Sequence, residues 1–342
     1  MTTPRGALRI DTIASFASLG IAVGHASDDE GGTGCTVVRP VEGAMRGAAA
    51  VVGRATGTRD LLPLVSHHLV DRVDAIFLTG GSAYGLDAAA GVMRWMEERG
   101  RGFPVGGGVV PIVPAAVIFD LAPLGSFAAR PTAAMAYRAA DDARADNIGE
   151  GSVGAGTGAT VGKTAGAGCA MKGGFGCATA RAGHLVAGAV AVVNALGDVR
   201  DGRGRIIAGA RSEAGGFADS VALLASGVAR QFSAAAPAPT NTTLAVIAVS
   251  SAFSRADLGA VAEAATAALH RRITPAGTAF DGDIVFALAP LVGDPGDPVA
   301  AGVLAAAALE EAIERAVRLA RGRDGIPGLA DEEGSSAGNH AR

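Results

Sequence analysis

Aromatic residues are scarce in this chain: they make up 4% of 342 residues, with one tryptophan and two tyrosines. A core of large interlocking rings is thereby excluded. The 51 glycines and many small aliphatics call instead for layers of closely approaching backbone. Lysine is rarer still, since of 29 basic residues only Lys163 and Lys172 are lysines. Lysine is retained over arginine where a compact ammonium must fit a tight site or titrate near neutrality. Both lie within ten residues of each other in the most glycine-rich part of the chain, which points to at least one functional lysine. Cysteine is limited to Cys35, Cys169 and Cys177. An odd number without metal-ligand spacing argues against a disulfide framework or a thiolate metal centre, and a reducing cytoplasm is the expected compartment. Cys177 reads as a small buried residue rather than a nucleophile.

Neither sign of charge dominates. The net charge is −4 and the arginines form no basic stripe, which argues against a nucleic-acid partner or a membrane surface. Charge-free stretches such as 103–119 are broken by proline and glycine, so no spanning helix is expected. Residues 13–23 mix serine and glycine and run into His25-Ala26-Ser27-Asp28, the pattern of a domain-opening strand rather than a secretory signal.

Strand patterns rich in Val, Ile or alternating small residues occur at 34–38, 74–79, 184–193, 205–210, 242–249 and 283–288. Helical patterns occupy 84–99, 132–144, 216–231, 255–270 and 298–321. The last helix opens on Asp297-Pro298, and Glu310, Glu311 and Glu314 face Arg315 and Arg318 at helical spacing. Hairpin-like strand pairs mixed with helices favour stacked sheets covered by helices over a doubly wound parallel sheet. One domain over residues 1–330 is expected, followed by a polar, disordered tail at 331–342.

The stretch Asn241-Thr242-Thr243-Leu244-Ala245-Val246-Ile247-Ala248-Val249 puts a hydroxyl at the mouth of an apolar strand, just after an exposed linker at 233–240. Taken alone it is a loop entering a strand. If the chain is cut between Asn241 and Thr242, however, Thr242 gains a free α-amine beside its own Oγ and supplies both nucleophile and base. The strand is too apolar to stand alone, so both sides of the cut must share one core.

Other blocks supply partners for such a nucleophile. Gly80-Gly81-Ser82-Ala83-Tyr84-Gly85-Leu86-Asp87 follows a strand and opens a helix, lacks dinucleotide spacing, and offers the Tyr84 phenol either as packing or as an oxyanion donor. Gly162-Lys163-Thr164 resembles the end of a phosphate loop. The position five before Gly162 is Thr157, however, so the pattern fails and close backbone packing around a buried site is the better reading. Asn194 ends a strand, where it is a turn residue or an amide donor. Phe280-Asp281-Gly282-Asp283 places two carboxylates at a strand mouth, where they need a cation or hydrogen-bond donors to ionise together. Lys163 or the Thr242 ammonium could be that cation. No metal and no cofactor are expected, because no further ligands cluster nearby.

Taken together, these blocks resemble the self-processing N-terminal-nucleophile hydrolases that include D-aminopeptidases, β-aminopeptidases and nylon-oligomer hydrolases. The stretches that carry the resemblance are 79–86, 154–158, 171–176, 241–243 and 280–283, and in order they cover almost the whole chain. The resemblance implies a four-layer αββα sandwich, autocleaved into 1–241 and 242–342, in a homo-oligomer of four or more chains. It also implies roles. Thr242 is the nucleophile, Lys163 its neighbouring lysine, Asn194 and Tyr84 the oxyanion donors, and Asp281 and Asp283 the acidic pair of the nylon-oligomer hydrolases. Peptidase-type members often carry Ser and Glu at that pair, so the substrate, a small peptide or an oligoamide, stays open. An acyltransferase of the ornithine-acetyltransferase type and an unprocessed binding protein are the alternatives.

Overall fold

The computed structural model describes residues 7–12, 14–65, 68–227 and 241–331. The linker at 233–240 and all of the expected disordered tail except Asp331 lie outside the described residues.

Two sheets form the centre. The larger runs, in spatial order, β1 (Arg9–Asp11), β9 (Gly174–Ala182), β10 (Leu185–Asn194), β11 (Thr242–Val249), β12 (Ile284–Ala289), β4 (Met45–Val51) and β6 (Arg72–Val73). The smaller runs β2 (Ile21–Asp28), β3 (Thr33–Pro40), β7 (Ile76–Thr79), β8 (Ala115–Val117) and β5 (Thr58–Arg59). Neighbours are antiparallel except β11 with β12 and β7 with β8.

The strands are apolar on both faces, and their alternation sorts side chains into separate cores. In β11, Leu244, Val246 and Ala248 face the interior between the sheets together with Ile76 and Leu78 of β7. Ala245, Ile247 and Val249 face the other way, onto α4 (Arg255–Ala265) and α6 (Pro298–Arg318), through Leu258, Leu304, Leu309 and Ile313. On the far side Val37, Phe77 and Ala115 meet Val92, Trp95 and Met96 of α1 (Ala89–Glu97) and Met135 of α2 (Ala133–Asp141). The layers therefore run helices, sheet, sheet, helices, the expected αββα sandwich.

The glycine-rich expectation holds in β9. A Cβ on Gly174 would stand 2.4 Å from Ala316 O, and one on Gly176 would stand 2.1 Å from Ala312 O. Bare backbone there lets α6 sit directly on the strand.

Several element boundaries differ from the sequence patterns. The helix expected at 84–99 begins as a 3-10 turn, Ser82–Ala88, before α1. The pattern at 255–270 breaks at Thr266 into α4 and α5 (Ala267–Arg272), and that at 216–231 gives α3 (Ser220–Ala225) among the described residues, its end lying outside them. The opening strand starts at Ile21, after a 3-10 turn at Ala17–Leu19. On α6, Glu314 pairs with Arg318 as expected, but Glu310 turns to Arg271 and Arg272, and Arg315 reaches Glu150 at 2.9 Å. No helix among the described residues is long and apolar enough to cross a membrane.

Candidate active site

Thr242 is the first residue of β11, and the ladder sets it directly opposite Asn194, the last residue of β10. Thr242 is buried, with 6% of its surface exposed, and its Oγ1 donates to the Asn241 carbonyl oxygen at 2.6 Å. The hydroxyl thus touches the peptide bond between Asn241 and Thr242. The same carbonyl accepts the Gly282 N–H at 2.8 Å, where Asn241 and Asp281 form a short parallel bridge.

Lys163 opens a 3-10 turn, Lys163–Ala165, behind Gly162, whose φ of +68° is a left-handed conformation. A Cβ on Gly162 would meet the Gly209 carbonyl carbon at 2.0 Å, so glycine is required there twice over. Main-chain bonds from Gly162 N to Gly197 O and from Lys163 N to Leu196 O, each 3.0 Å, tie the turn to the segment after β10. Lys163 Nζ then donates to Asn194 O at 3.1 Å and to Asn194 Oδ1 at 2.9 Å. Burial pulls the ammonium down to about 7, against the opposing pull of Asp281 and Asp283. A lysine near neutrality is what a proton relay requires.

The Asn194 side chain helps to place this group. Its Oδ1 also accepts the Thr160 N–H at 3.0 Å, and its Nδ2 donates to Phe119 O at 3.1 Å. Phe119 follows Ile118, which packs between the sheets, so this bond reaches across to the second sheet.

Asp281 and Asp283 flank Gly282 and are buried, at 1% and 2% exposure. Asp283 accepts Thr243 N–H at 2.6 Å and Gly277 N–H at 3.0 Å. Asp281 Oδ2 accepts Thr278 N–H at 2.9 Å and Thr278 Oγ1 at 2.6 Å. Burial, then the neighbouring Asp281 charge, pushes Asp283 up to about 7, and burial likewise raises Asp281. Burial thus holds both carboxyls above the usual carboxylate range while their oxygens fix the surrounding main chain.

Five expected residues, Thr242, Lys163, Asn194, Asp281 and Asp283, converge with Asn241. Tyr84 does not join them in the same way. It lies in the 3-10 turn Ser82–Ala88, 55% exposed, with the Arg130 guanidinium 3.6 Å from its ring centre. Among the described residues no hydrogen bond links it to Thr242. The turn itself is anchored by Asp120, which accepts Gly81 N–H at 2.6 Å and Thr33 Oγ1 at 2.7 Å.

Lys172, the other lysine, is buried and donates to Thr157 O and Ala159 O, each at 2.8 Å, holding the glycine-rich loop. Sequence reasoning did not single out Gly282, Thr278 or Asp120. Only Gly282 carried a signal, a glycine wedged between two acids. Cys177 is buried as expected, and burial raises its thiol pKa.

Peptidase family S58 matches residues 19–329. The chain is 43% identical over 293 residues to an uncharacterized aminopeptidase of Mycobacterium tuberculosis, covering 83% of this chain and 80% of that one. It is 32% identical over 270 residues to the 6-aminohexanoate-oligomer endohydrolase of a Kocuria species, covering 79% and 72%. The solved structure of the L-aminopeptidase D-Ala-esterase/amidase of Ochrobactrum anthropi, a variant of the Ntn hydrolase fold, superposes with a TM-score of 0.67 at 17% identity. That superposition covers 98% of this chain and 95% of that one.

Proposed function

The chain belongs to peptidase family S58, and we propose that it is an amide hydrolase that cuts itself between Asn241 and Thr242 and then uses Thr242 as its nucleophile. The observation that carries this reading is the Thr242 hydroxyl, buried at the head of β11 and 2.6 Å from the Asn241 carbonyl oxygen. In maturation, Thr242 Oγ attacks that carbonyl to give an ester, which water hydrolyses. The new α-amine has an ordinary pKa near 7.7–8.0. Above that value the amine is neutral, ready to take the Oγ proton when a substrate amide is attacked, and Lys163, while it is charged, lowers the value. Asn194 and Tyr84 are the proposed donors to the substrate oxyanion, and Asp281 and Asp283 hold the main chain on which Thr242 and Lys163 rely.

The greater likeness to the mycobacterial aminopeptidase favours short peptides with a free amine as substrates. The likeness to the Kocuria enzyme adds 6-aminohexanoate oligomers as candidates. The fragments 1–241 and 242–342 stay together, and a cytoplasmic homo-oligomer of four or more chains is part of the same reading. Intact mass under denaturing conditions tests it. Wild type should give two fragments meeting at Asn241 and Thr242, while Thr242→Ala stays whole and loses activity on amides. A wild type that remains uncut, or a cut Thr242→Ala, would overturn the proposal.

A further inference from the structure

In the uncut chain the carbonyl between Asn241 and Thr242 is approached from two directions. Thr242 Oγ1 lies 2.6 Å from its oxygen, and the main-chain N–H of Gly282 donates to the same oxygen at 2.8 Å. Neighbouring donors are committed elsewhere. The N–H groups of Thr243 and Gly277 go to Asp283, and that of Thr278 goes to Asp281. The two carboxylates thereby fix the loop so that the N–H between them points at Asn241. A Cβ on Gly282 would fall 2.8 Å from Thr242 Oγ1 and 2.7 Å from Ala55 O. Only a residue without a side chain leaves the hydroxyl room to swing from the carbonyl oxygen to the carbonyl carbon.

We propose that the Gly282 N–H is the oxyanion donor of self-cleavage, holding the charge that gathers on Asn241 O as Thr242 Oγ attacks. The proposal rests on the self-cutting reading above and names the group that stabilises its transition state. As the Oγ–carbon bond forms, the hydroxyl proton passes to neutral Lys163 Nζ and the carbonyl electrons move to Asn241 O. Collapse expels the Thr242 nitrogen, which takes that proton and becomes the free amine, leaving an ester. Water then adds to the ester, releasing the Asn241 carboxylate, the Thr242 hydroxyl and one proton to solvent. A donor set 2.7–3.1 Å from the charge-bearing oxygen is the geometry that such stabilisation requires, and loss of one donor typically slows a reaction by about 100- to 1,000-fold.

The test replaces the Gly282 amide by an ester, inserting glycolic acid at this position in the full chain by cell-free translation, which deletes the N–H and adds no side chain. Cleavage is followed by intact mass beside wild type and Thr242→Ala, and folding by circular dichroism. A folded variant that cuts about 100-fold more slowly supports the assignment. A folded variant cutting at the wild-type rate overturns it while leaving the self-cutting reading standing. A wild type that never cuts ends both, and so does a cut Thr242→Ala, because the charge on Asn241 O is assigned to attack by Thr242 Oγ. If the ester variant misfolds, hydrogen exchange in whole Thr242→Ala decides. A Gly282 amide protected there and released in the cut wild type supports the bond to Asn241, and fast exchange in the whole chain overturns it.

Discussion

At the scale of single residues, the site depends on one lysine that is hard to replace. Lys163 makes two bonds to Asn194 from within a tight turn, and burial brings it to about 7. Arginine keeps the charge but cannot give it up, so it cannot relay a proton. Lys163→Arg should therefore slow self-cleavage by about 100-fold or more, the usual contribution of a positioned base. In wild type, cleavage should accelerate as pH rises through an inflection near 7, because only the neutral amine takes the Thr242 proton. Asp283 titrates in the same window, so the inflection belongs to the interacting groups together. Rates followed by mass from pH 5.5 to 9 check both points, and a pH-independent wild type would remove Lys163 from the relay. The lysine was legible in the sequence because the chain has only two. Gly282 showed only as a glycine between two acids, because its contribution is a backbone N–H whose aim is set by folding. The exposed setting of Tyr84 was equally hidden, since a phenol in a glycine-rich turn reads the same whether it faces a site or solvent.

At the scale of elements, alternation named β11 correctly from end to end, since every second side chain enters a different apolar layer. It failed for β9, where glycines at 174 and 176 leave no side-chain pattern to read. Those same glycines make the closest contacts with α6, whose backbone oxygens occupy the space that Cβ atoms would need. Gly176→Val must push helix from strand, and main-chain atoms have little freedom to yield. A loss of about 3 kcal/mol, the upper range for overpacking, is expected in urea unfolding of the uncut Thr242→Ala chain. A change on the exposed face of α6, such as Val303→Ala, should cost far less. Helix breaks were hard to read for a related reason. Alanine-rich segments such as 255–272 continue the helical period through Thr266, and only tertiary packing decides where the axis turns.

At the scale of the molecule, the position of the proposed cut matters more than its chemistry. Everything after Asn241 enters the larger sheet as two adjacent parallel strands, β11 and β12. These are flanked on both sides by strands that precede the cut. β10 pairs with β11 over eight residues, from Ala187 opposite Val249 to Asn194 opposite Thr242, and β4 pairs with β12 over six. The later segment also supplies α4 and α6, whose buried faces cover strands from both sides of the cut. Hydrolysis at Asn241 would remove one covalent bond at the head of a strand and leave these ladders and the apolar layers in place. The fragments should therefore co-elute as one species in native gel filtration and lose structure in one transition. They should part only in denaturant, because separation requires opening two ladders and exposing both cores at once. Fragments that separate on a native column would show that the ladders around β11 and β12 do not survive the cut.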